Sequence, residues 1–198
     1  MSSDPTRMQR LIAAAQWLLC LPGRIAAWLI LLLVFSTVVA VITAAVGGAT
    51  LLDWEGDLPV LGSALTVNSL MDMQWFIFAL IVLFGGIWSF TDERHVTVDT
   101  VAQRFSPRTR AWISILGDAF LLMPFCLVSI WYGWKFAAVS YATSEASTVG
   151  GLSGYWLIKG AVPVAFTLLA LSAIVHILKI AGELRSGKFH KVVEHHDS

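Results

Sequence analysis

The chain has 198 residues, 57% of them apolar and 13% charged, with a mean hydropathy of +0.75. A soluble domain carries about 25% charged residues, so this composition excludes a surface built for water and points to a chain solvated by lipid. The net charge is zero, which gives no global attraction to nucleic acid, and Cys20 and Cys126 lie in apolar stretches without any CxxC, HExxH or His/Cys pattern for a metal.

In chain order, residues 8–21 read as an amphipathic helix on the membrane surface, with Arg7 and Arg10 toward headgroups. Pro22-Gly23 is expected to break the chain there. A first span follows over 25–46 without a charge. It is longer than the ~7–15 residues of a signal-peptide core and reads as an anchor. The next loop, 47–72, is acidic (Asp53, Glu55, Asp57, Asp72) and contains the turn-forming Leu58-Pro59-Val60-Leu61-Gly62. The second span covers 73–90, where Gly85-Gly86 with Ser89 is expected to permit close helix approach. The third, 111–134, contains Asp118, and the fourth, 160–178, contains His176. Each run suits the ~20 residues needed to cross hydrocarbon, where only helices satisfy their own backbone. The expected fold is an all-α membrane protein with four transmembrane helices and short interfacial helices. Its arm is 1–23, its membrane domain 24–182 and its polar tail 183–198.

Orientation follows from the cations. Arg7, Arg10, Arg24, Arg94, Arg104, Arg108, Arg110, Lys179, Arg185, Lys188 and Lys191 fall on one side, and only Lys135 and Lys159 on the other. The positive-inside bias therefore predicts both termini in the cytoplasm, with loops 47–72 and 135–159 facing outward. Trp28, Trp54, Trp75, Trp88, Trp112, Trp134 and Trp156 lie near span ends, where amphipathic rings favour the interface.

No residue pattern suggests an enzyme or a bound cofactor. Asp118 is the one acid inside a span, and an intramembrane carboxylate is costly. It reads as a residue near the headgroups paired with an arginine or a cap, with a proton or cation site as the alternative. His176 reads as an interfacial histidine, since no other histidine lies in a span to make a bis-histidine haem. In the segment 91–112, Val96, Val98, Val101, Ala102 and Phe105 offer an apolar face. Arg94, His95, Asp99, Arg104, Arg108 and Arg110 offer a polar, mostly basic one suited to anionic lipid or a partner.

That segment also carries a resemblance. His95-Val96-Thr97-Val98-Asp99, then Arg104-Phe105-Ser106-Pro107-Arg108 and Arg110-Ala111-Trp112, resembles the cytoplasmic signature of the DctQ-like small subunit of tripartite ATP-independent periplasmic (TRAP) transporters. Thr66-Val67-Asn68-Ser69-Leu70 with Gln74-Trp75 resembles the approach to the family's second helix, and Leu122-Met123-Pro124-Phe125-Cys126 its third. Gly150-Gly151-Leu152 with Ile158-Lys159 and Pro163 resembles its fourth. Ser153 and Leu157 depart from the prolines the family often has there. The resemblance implies a bacterial inner-membrane protein that supports a large transport subunit during receptor-dependent, typically sodium-coupled uptake of organic acids. The implied partners are that subunit, a periplasmic solute-binding protein and phospholipids. Asp53, Glu55 and Asp57 are then candidates for receptor docking. Two other readings compete: a self-sufficient four-helix exporter using Asp118, and a membrane anchor of a redox complex.

Overall fold

The computed structural model describes residues 7–58, 60, 62–91, 105–148 and 150–186. Four helices within it are long and apolar enough to cross a membrane. The first, α1 (Arg7–Ala45), runs 39 residues without interruption. The expected break at Pro22-Gly23 is therefore absent. Pro22 removes one backbone donor, a loss that helices in lipid tolerate when neighbours pack tightly, and Gly23 supplies that packing. A Cβ there would sit 2.6 Å from both the Phe84 carbonyl oxygen and the Trp88 Cβ, so the bare backbone lets two helices touch.

A two-stranded antiparallel hairpin follows, β1 (Thr50–Leu58) and β2 (Gly62–Thr66). It occupies most of the loop expected over 47–72 and adds a strand pair to the all-α frame. The Trp54 Nε1 donates to the Gly62 carbonyl at 2.8 Å and braces the pair across its width.

The second helix, α2 (Val67–Thr91), starts six residues before the expected span. Thr66 and Ser69 explain the early start. The Ser69 amide donates to Thr66 Oγ1 at 3.1 Å, and the Thr66 amide reaches back to Ser69 Oγ at 3.4 Å. This reciprocal cap satisfies donors at the helix start. Asp72 thus belongs to a helix, not a loop.

The third span is one long helix with a π turn inside it. Ser106 caps α3 (Pro107–Gly117), its Oγ accepting from the Thr109 amide at 3.2 Å, with Pro107 at the first turn where its missing donor costs nothing. A π turn covers Asp118–Leu122, and α4 (Met123–Ala142) continues to the far end. Pro124 accounts for the π turn: its ring opposes the carbonyl four residues back, and a wider turn relieves the clash. The last helix, α5 (Trp156–Ser186), passes through Pro163. It outruns the expected 160–178 and takes in the start of the expected tail. The stretch 92–104 and residues 187–198 lie outside the described residues.

Packing follows one sequence of neighbours. α1 lies along α2, α2 along α5, and α5 along α4, with a shorter contact between α1 and α5. No comparable interface joins α4 to α1 or α2. The spans form an open row, not a closed bundle. The α4–α5 seam is set by Gly133, whose missing side chain leaves room for the buried Pro163 ring, 3.1 Å from where a Cβ would stand. Cys126, Gly133, Ala137 and Ser140 line that seam. The expected close approach at Gly85-Gly86 is not found: a Cβ at either would meet open space.

These contacts predict opposite outcomes for two glycines. Gly23→Ala should destabilise the α1–α2 pair by about 1–3 kcal/mol, the usual range for overpacking. Gly85→Ala should leave stability unchanged or raise it by up to ~1 kcal/mol through helix propensity. Detergent thermal melts followed by size-exclusion chromatography read both. Equal melting of the two variants would rule out the close contact at Gly23.

Candidate functional site

Polar side chains gather at the two ends of the row. At the end where α1 begins and α5 ends, the π turn presents Asp118 toward α5, where His176 Nδ1 lies 2.6 Å from Asp118 Oδ2. Both side chains are mostly covered, at 12% and 17% exposure. The Phe90 ring meets the imidazole edge-on at 5.5 Å, so α2 joins the cluster. Asp118 therefore finds a histidine from another span, where an arginine or a cap was expected, and His176 has a defined partner inside the helix row. Asp118 opens the π turn, so the wider turn helps set where its side chain points.

Arg108 and Arg110 stand exposed in the first turn of α3, about 12 Å or more along the axis from Asp118. Exposed cations near a helix N-terminus oppose the helix dipole, at a cost of about 0.3–1 kcal/mol each. Arg94, His95, Asp99 and Arg104 fall outside the described residues.

At the other end, the hairpin and the loop 143–155 form one cap. The Leu152 amide donates to Asp72 Oδ2 at 3.0 Å. A Cβ on Gly151 would lie 1.9 Å from that oxygen, so only glycine lets the carboxylate in. Ser147 N donates to the Leu152 carbonyl at 2.9 Å, and Ala146 bridges to Ser153. The Ser153 amide then donates to the Val60 carbonyl at 2.9 Å, and Thr66 Oγ1 to the Gly150 carbonyl at 3.3 Å, which ties loop to hairpin. The Tyr155 ring packs edge-on against Phe76 at 5.1 Å. Burial pushes the Tyr155 hydroxyl above the ordinary tyrosine range, and the nearby Asp72 charge adds to this. Lys159 closes the cap by pairing with Glu145 while its ammonium lies 4.0 Å from the Phe136 ring centroid. That hydrogen-bonded lysine holds the Glu145 carboxyl below its usual range.

Of the acids proposed for docking, Asp53 and Glu55 are exposed on β1; the Asp57 side chain is outside the description. Reading the chain alone missed Asp72, Gly151, Tyr155 and Glu145 as a unit. The signal for Asp72 was present in the Thr66-x-x-Ser69 cap, which places it on a helix. Its pairing with a loop 80 residues away had no local sign.

The fold defines a multi-pass integral membrane protein whose polar groups are tied into its two ends. The family model described as "Tripartite ATP-independent periplasmic transporters, DctQ component" matches residues 59–182, from the hairpin turn to the last turns of α5. The chain belongs to this family and is the small permease subunit of a TRAP transporter. No match was found among curated proteins or among solved structures.

Two tests follow. In a double-mutant cycle of Asp118→Ala and His176→Ala, each single change should cost about 1–3 kcal/mol, with a coupling energy of at least ~0.5 kcal/mol; additive losses in a detergent unfolding assay would mean the pair does not interact. Tyr155 should ionise above the ordinary tyrosine range. The stability from keeping it neutral is then full below the unfolded tyrosine pKa and lost as pH rises through the folded one. Absorbance at 295 nm should show a late phase that Tyr155→Phe removes and Asp72→Asn shifts to lower pH.

Proposed function

We propose that this chain acts as the fixed part of a receptor-dependent importer of organic acids in the bacterial inner membrane. It extends and anchors the scaffold of a large transport subunit, which carries the solute site. Family membership over 59–182 carries the proposal, and the open row of helices supports it. A row leaves two broad apolar sides, one for a large partner and one for lipid. The intramembrane acid near the termini is taken up by His176, which suits a structural tie better than an ion path. An Asp118→Asn variant should then assemble poorly or be tolerated, whereas a self-sufficient exporter would lose all activity.

The termini face the cytoplasm in this reading, with the cations on that side. Arg108 and Arg110, with Arg94, His95, Asp99 and Arg104, meet lipid phosphate or the large subunit there. The hairpin end faces the periplasm. Its exposed Asp53 and Glu55, with Asp57, offer negative charge to a solute-binding protein, and the Asp72 latch keeps the loop beside them in one shape.

The decisive measurement is extraction of the tagged chain from its native membrane in mild detergent. A many-span membrane protein should co-purify in comparable amount; recovery as a self-associated protein that transports alone in liposomes would overturn the reading. In the paired complex, reversing Asp53, Glu55 and Asp57 to lysine should weaken receptor-dependent uptake by about 3–10-fold at low salt, with the gap closing as ionic strength rises. Uptake unchanged across the salt series would sink the docking role.

A further inference from the structure

The cations of the hairpin end are treated unequally. Lys159 is neutralised by Glu145. Lys135, on the exposed side of α4, has no carboxylate partner among the described residues. Its ammonium lies 4.9 Å from the Trp131 ring centroid and 5.8 Å from that of Tyr132, so aromatic faces hold it in place without supplying a counter-ion.

Helix length fixes its depth. Lys135 lies 25 residues beyond Arg110 in one nearly continuous helix, about 37 Å at the usual rise. Hydrocarbon is about 30 Å thick, so both cations reach opposite headgroup layers by snorkelling. Below Lys135, one helical face continues with Tyr132, Trp131, Val128, Phe125 and Leu121, three, four, seven, ten and fourteen residues back. All five are exposed. This is an ammonium at headgroup level above an apolar stripe about 20 Å long, rimmed by the Trp and Tyr that favour the interface.

We propose that this face of α4 binds a phospholipid, its phosphodiester on Lys135 and an acyl chain along Phe125 and Val128. Charge complementarity selects the occupant: the site offers one cation over an apolar track with a Trp and Tyr rim. A lipid matches both parts. The proposal also makes this face of α4 lipid-facing and places the large subunit elsewhere on the row.

The test uses the full chain together with its co-purified large subunit, delipidated in detergent and titrated with dioleoylphosphatidylglycerol by native mass spectrometry. A bound lipid is expected whose affinity falls about fivefold in Lys135→Gln and is kept in Lys135→Arg. Inorganic phosphate at millimolar concentration should not displace it. Full displacement by phosphate would mean a free-anion site and overturn the lipid assignment, as would equal affinity in Lys135→Gln. A photoreactive benzoylphenylalanine in place of Trp131, irradiated in native membranes, should gain the mass of a lipid. Coupling to a polypeptide would show a protein interface and overturn the proposal by a route independent of lysine.

Discussion

In hydrocarbon, every backbone donor and acceptor must be satisfied by the chain itself, and most features of this protein depend on that constraint. It makes the spans helical and sends the hairpin to one end. It also explains the local exceptions. Pro22 and Pro163 each remove a donor within a helix, and each lies where a glycine lets helices come close. Gly23 does this beside Pro22, and Gly133 receives the Pro163 ring. At Pro124 the answer differs: the helix widens into a π turn. That turn begins at Asp118, whose buried carboxylate would be costly unpaired, and His176 from the neighbouring helix meets it.

The open row has a physical origin in the placement of small residues. α5 buries Ala165, Ala170, Ser172 and Ala173, and α4 offers Cys126, Gly133, Ala137 and Ser140. Without a hydrophobic drive between helices in lipid, such residues decide which faces meet. On α1 and α4, large apolar side chains such as Trp28, Phe35, Phe125 and Trp131 remain exposed. These sides leave long apolar surfaces for lipid or protein to cover.

The two ends differ in how they are held. Where α1 begins and α5 ends, the ties include the Asp118–His176 pair and the Phe90 ring edge-on to it. The hairpin end is held by backbone amides converging on Asp72 and on the hairpin turn, with Lys159 and Glu145 closing the loop. Backbone bonds fix shape with little dependence on salt, whereas the part-buried Glu145–Lys159 pair keeps some of it.

The sequence by itself determined the number of spans, their approximate places and the segregation of cations. Each rests on a running property of neighbouring residues: hydropathy over ~20 positions, or charge in a loop. Family motifs were legible for the same reason. Local geometry was partly legible: Thr66 and Ser69 announce a helix start, and Pro124 a disturbed one. What the tertiary structure alone decided were meetings between distant residues. Asp118 and His176 lie 58 positions apart, and Asp72 and Leu152 lie 80 apart. Gly23 and Gly85 are the same residue in similar surroundings, yet one is filled by a neighbouring helix and the other faces open space. Only helix order separates them, and apolar faces look alike along a chain whether lipid or protein covers them.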